Sequence, residues 1–144
     1  MSALFTAVSG WVLVVLLATT IGLAYWLRGA QPVTTSAGER VPLAERLRPH
    51  FWLGFAIAPV TFAHLWPAMS EGWVRRVDQP GLYLAAGAFL LTIGQVVLGL
   101  GLRDIRSRSR RAVRRVHFWT MAGIATLTVG HVAMNSATMR VLFS

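Results

Sequence analysis

The chain has 144 residues, of which 55% are hydrophobic and 13% are charged. Soluble domains carry about 25% charged residues, so this composition favours a membrane protein. The lack of cysteine excludes disulfides, thiolate metal sites, iron–sulfur clusters and covalently attached haem. All fourteen basic residues are arginines, and they fall between long uncharged stretches. The net charge of +9 therefore does not indicate a nucleic-acid partner.

Four stretches are long enough to cross about 30 Å of hydrocarbon as helices of roughly 20 residues. They cover residues 3–27, 51–70, 80–102 and 116–139, and none contains Asp, Glu or Arg. The first stretch has no basic segment before it and is too long for the apolar region of a signal peptide, so we expect a membrane-spanning helix there and not a cleaved signal peptide. The sequence predicts an all-α membrane protein, a single domain built as an up-down-up-down bundle of four transmembrane helices.

The arginines predict the orientation of these helices. Residues 28–49 and 103–115 hold eleven of them, whereas Arg75, Arg76 and Arg140 are the other three. Because arginine-rich loops stay in the cytoplasm, we expect both long loops there and both termini outside, in a bacterial-type cytoplasmic membrane. For most of these arginines, the simplest role is as a topology signal in contact with lipid headgroups.

A repeat links the second and fourth stretches. Both contain the pattern H-F-W-x4-I-A-x2-T-x2-H, which starts at His50 and again at His117, 67 positions later. The first and third stretches each end in a Leu-Arg step. These matches predict a duplicated helical hairpin, with repeats of about 1–70 and 78–139 in parallel orientation.

The repeat places the four histidines of the chain at two depths. Fourteen residues span almost four helical turns, so the histidines of one helix lie on nearly one face and about 21 Å apart. The second and fourth helices run in the same direction. We therefore expect an inner pair, His50 with His117, and an outer pair, His64 with His131.

Several roles are open to intramembrane histidines. They could pack through hydrogen bonds, carry protons or bind metal ions. One zinc or copper ion cannot bridge pairs four turns apart, and two-histidine sites here lack further protein ligands. Haem brings four nitrogens of its own and needs two axial ligands from the protein, so two haems b fit this pattern best.

In its histidine spacing the chain resembles the haem-binding half of cytochrome b in bc complexes, and it is similar to ferric reductase and b561-like electron-transfer subunits. The resemblance implies that His50, His64, His117 and His131 are axial haem ligands. It also implies that small residues make room for the macrocycle, here Gly87 and Gly101; close helix packing is the alternative for both. From the residues themselves, Arg48, Arg114 and Arg115 are candidates to bind the inner haem's propionates.

These features predict a membrane-embedded dihaem cytochrome b that carries electrons across the membrane within a larger redox complex. Its expected partners are other redox subunits and membrane lipid, with quinone as a further candidate. A self-contained quinone-coupled oxidoreductase and a non-redox structural or proton-conducting subunit are the alternatives. No flavin or nicotinamide motif is present in the sequence.

Overall fold

The computed structural model describes residues 2–70, 79–103 and 108–135. The chain forms helices over most of this length, and a short turn with an isolated bridge between Thr34 and Arg40 interrupts them. The helices are α1 (Ser2–Gly29), α2 (Leu43–Arg46), α3 (Arg48–Ser70), α4 (Gln79–Gly101) and α5 (Arg110–Asn135). The prediction of an all-α protein is confirmed for the described part of the chain.

The four long helices correspond to the four predicted stretches, but their ends differ. Helix α5 begins at Arg110 rather than at residue 116, and α3 begins at Arg48 rather than at residue 51. Arginine is a good helix former, so a helix continues beyond the apolar run that marks it in the sequence. The last predicted residues of the fourth stretch, 136–139, lie outside the described part of the chain.

Two helical segments, Leu4–Gly29 and Pro80–Gly101, are long and apolar enough to cross a membrane. Only 11% of the first segment's window and 6% of the second's are buried inside the protein. Helix α3 contains histidine, tryptophan and proline, and α5 begins with arginines. These residues explain why α3 and α5 are less apolar than α1 and α4, although both exceed 20 residues in length.

The chain divides into two compact units, Met1–Phe62 and Ala63–Ser144. In the first unit, Arg46 ties α2 to the end of α1. Its guanidinium donates hydrogen bonds to the carbonyls of Leu27 at 2.8 Å and Ala30 at 3.2 Å. The last carbonyls of a helix have no partner within it and favour a nearby cation. Arg46 therefore caps α1 and fixes the start of the following turn.

In the second unit, α4 packs against α5 through glycines on both helices. The position that a Cβ would occupy at Gly123 lies 3.1 Å from Leu91, and at Gly130 it lies 3.0 Å from Leu84. Since carbon atoms pack best at about 3.5–4.0 Å, only glycine allows these leucines to approach so closely. The glycines thus bring the two helices close together, as small residues do in membrane helix pairs.

Candidate functional site

Two of the predicted ligands face each other in the second unit. The imidazole rings of His64 on α3 and His131 on α5 have centroids 6.3 Å apart, and their planes meet at 85°. Both side chains are half-buried. The structure therefore brings together the two histidines that the repeat assigns to the outer pair.

The ring of His131 is oriented by the start of α4. Its Nδ1 lies 2.8 Å from the backbone carbonyl oxygen of Gly81. Because a carbonyl only accepts hydrogen bonds, Nδ1 carries the proton and donates it to this oxygen. The lone pair of the neutral ring is then on Nε2, the nitrogen at the far side of the ring.

His50 has the same arrangement in the first unit. Its Nδ1 lies 2.9 Å from the carbonyl oxygen of Thr20 on α1, so this nitrogen is again the donor. The Thr20 hydroxyl donates to the Leu16 carbonyl one turn earlier. His50 therefore also carries its lone pair on Nε2, and α1 holds the ring through a backbone group.

His117 is contacted by the side chain of Gln95 on α4. The amide nitrogen of Gln95 lies 3.3 Å from His117 Nε2. Because this amide can turn either its nitrogen or its oxygen toward the ring, it can donate to Nε2 or accept from it, and the contact is compatible with both tautomers of His117. Thr20 and Gln95 each precede by eight positions the arginine of a Leu-Arg step, Arg28 or Arg103. The two hairpins thus contact their first histidine from the same register.

In His50 and His131 the hydrogen bond at Nδ1 leaves Nε2 as the nitrogen that could bind a metal. A metal–imidazole bond is about 2 Å long, and a ring centre lies about an ångström behind its nitrogen, so two imidazoles that bind one metal from opposite sides would have centroids roughly 6 Å apart. The separation of 6.3 Å between His64 and His131 fits that distance. Hydrogen bonds from Nδ1 to carbonyls are the usual support of histidine ligands.

The two facing imidazoles would suit a metal that brings further ligands of its own. Across the described ranges, no group of three or more His, Cys, Asp or Glu side chains lies together. Structural and catalytic zinc sites take three or four protein ligands. Haem needs only two, and facing imidazoles can supply them.

The sequence also predicted arginines that bind the haem propionates and glycines that make room for the macrocycle. Arg48 is exposed on the first turn of α3, Arg114 and Arg115 are exposed on the second turn of α5, and their role toward a propionate stays a prediction. A Cβ at Gly87 would lie 3.3 Å from Leu127, and one at Gly101 would lie 3.8 Å from Val113. Both contacts are with α5, as expected for helix packing, and the role of these glycines in haem clearance stays a prediction.

The predicted inner histidine pair is divided between the two compact units, and three of the loop arginines are not described. His50 belongs to the first unit and His117 to the second, so their pairing stays a prediction. Arg75, Arg76 and Arg140 lie outside the described residues.

Two residues at the site were missed by the sequence analysis. Gly81 acts through its backbone carbonyl, which no side-chain pattern reveals. Asn135 places its amide nitrogen 3.1 Å from His131 Nδ1. Its position was a usable signal, since it is a polar residue one helical turn after a histidine at the end of an apolar stretch.

Comparison with known protein families, with characterised proteins and with solved structures gives no match.

Proposed function

We propose that the protein is a membrane-embedded dihaem cytochrome b that carries electrons across the membrane as a subunit of a larger redox complex. The facing rings of His64 and His131, 6.3 Å apart, are the observation that carries this proposal. The sequence repeat extends it to His50 and His117. Two axial histidines leave no open position on iron, which favours electron transfer over oxygen chemistry.

The protein's own groups have defined tasks in this proposal. His64 and His131 hold the outer haem, and His50 and His117 hold the inner haem. The carbonyls of Gly81 and Thr20 keep the rings of His131 and His50 in the tautomer that offers Nε2. Bound haem b supplies a one-electron couple between ferric and ferrous iron.

The surface of the helices supports a place in the membrane. Large apolar side chains are exposed on all four long helices, among them Trp11, Trp66, Leu90 and Val129. Such extensive apolar surface marks contact with lipid or with partner proteins. Exposed apolar residues on α3 and α5 support four membrane crossings rather than two.

Aromatic and basic residues mark an interface on three of these helices. In α1, α3 and α5, an exposed tryptophan lies two or four positions from an exposed arginine. Tryptophan favours the headgroup level of a bilayer, and arginine favours its cytoplasmic side. The pairs are Trp26 with Arg28, Trp52 with Arg48, and Trp119 with Arg115.

Counting haem against protein tests the proposal directly. The protein is purified in mild detergent, and haem is extracted with acidified solvent and quantified as its pyridine complex. We expect two non-covalent haems b per chain. One haem or none would overturn the dihaem proposal.

A further inference from the structure

The Nδ1 atom of His131 has two polar neighbours, the backbone of Gly81 and the side chain of Asn135. The Gly81 carbonyl accepts the proton of His131 Nδ1, and the amide of Asn135 lies beside that nitrogen. The amide nitrogen is 3.1 Å away, and flipping the amide places its oxygen there as a second acceptor. Asn135 is half-buried, so this contact lies largely away from solvent.

Gly81 and Asn135 are also in contact with each other. A Cβ at position 81 would overlap with the carboxamide of Asn135. Gly81 is buried at the start of α4, whereas Asn135 is the last residue of α5. The absence of a side chain at position 81 therefore allows the amide to reach the ring.

The repeat does not reproduce this arrangement. The residue four positions after His64 is Ala68, which has no polar group to offer its histidine. One turn after the histidine, the sequence therefore has an amide in α5 and an alanine at the repeat-equivalent position of α3. The two histidines of the outer pair are equivalent in the repeat, but the residue four positions after each of them differs.

We infer that Asn135, admitted by Gly81, is a positioning residue that orients His131 and increases the electron density of its ring toward the outer haem. The inference rests on the proposed function. An acceptor at Nδ1–H makes an imidazole more basic, and a more basic ligand stabilises ferric over ferrous iron. Asn135 thus lowers the reduction potential of the haem at His64 and His131.

Three variants separate this role from packing. Asn135→Leu removes the amide at similar volume, Asn135→Asp keeps an oxygen acceptor, and Gly81→Ala displaces the amide. Thr126→Val is the matched control, because this exposed hydroxyl on the same helix donates only to the Ala122 carbonyl among the described contacts.

The readouts are haem affinity and the reduction potential of the purified haem-loaded protein. For Asn135→Leu we expect about tenfold weaker binding at this site, as is typical when a ligand's supporting contact is lost. The reduction potential of the haem should rise in Asn135→Leu, and it should rise in Gly81→Ala as well. For Asn135→Asp we expect retained binding and a lower potential, and for Thr126→Val no change. Leu and Asp variants that shift the potential in the same direction, or not at all, would overturn the inference.

A measurement without haem keeps the inference apart from the proposed function. In haem-free protein labelled with nitrogen-15 histidine, Asn135→Leu should shift the Nδ1 resonance of His131 and leave that of His50 in place. If the wild-type protein bound no haem, the dihaem proposal would fail while this shift still supported the positioning role. An unchanged His131 resonance would overturn the role itself.

Discussion

His64 and His131 are 67 positions apart in the sequence, and their imidazole rings lie 6.3 Å from each other, centroid to centroid. Helix α3, which carries His64, is more apolar than α5, which carries His131, and α5 begins with two arginines where α3 has an arginine followed by a proline. Two pairs of repeat-equivalent residues on these helices nevertheless have similar exposed fractions. Ile57 and Ile124 are 9% and 6% exposed, and Trp52 and Trp119 are 62% and 66% exposed. These similar exposures are what the predicted duplication of a hairpin would produce.

Glycine at the interface of α4 and α5 is expected to be required for stability. Gly123→Val adds a branched side chain where a Cβ already lies 3.1 Å from Leu91, and overpacking of this kind costs about 1–3 kcal/mol. The free energy of unfolding, measured by SDS titration in mixed micelles, should fall by that amount. Gly94→Val is the matched control on α4, because a Cβ there would meet no described heavy atom within 4 Å other than its chain neighbours and the backbone of its own helix. Equal losses for both variants would contradict the packing role.

The arginine distribution predicts the side of the membrane on which each loop lies. Because the chain contains no cysteine, single cysteines report their location without background. We expect Ser36→Cys and Ser109→Cys to react with an impermeant maleimide only from the cytoplasmic side, and Gly72→Cys only from the outside. Intact cells and inverted vesicles provide the two sides.

Thr92→Cys serves as the negative control for this labelling, since Thr92 is buried in α4 and should remain unlabelled from either side. Labelling of Ser36→Cys and Ser109→Cys from opposite sides would be incompatible with four crossings and with parallel repeats.

The sequence predicted the elements that depend on side-chain pattern and missed those that depend on the backbone. Uncharged runs of 20 or more residues located the four long helices, whereas α2 has only four residues, too few for any periodicity to mark it. Histidine spacing predicted the pair His64 and His131. The carbonyl of Gly81 could not be predicted, because every residue has one, and only the packing of α4 on α5 selects it.

Substitution of single histidines tests which ligands belong together. His64→Leu and His131→Leu should each remove the same outer haem and leave one haem per chain. His50→Leu and His117→Leu should each remove the inner haem instead. The physical reason is depth: in parallel helices a ligand can reach only the partner at its own level, and the two levels are about 21 Å apart. Difference spectra and redox titrations of the four variants identify which haem remains.

The stability of these variants provides a second measure of the same pairing. Losing a haem leaves an apolar void and removes the stability that ligand binding contributes. We expect the inner-site variants to be less destabilised, because water and headgroups can enter a site near the interface. His50→Leu should match His117→Leu in its spectrum, its reduction potential and its melting temperature. If it matched His131→Leu instead, the two helices would have to run antiparallel, and the topology deduced from the arginines would be wrong as well.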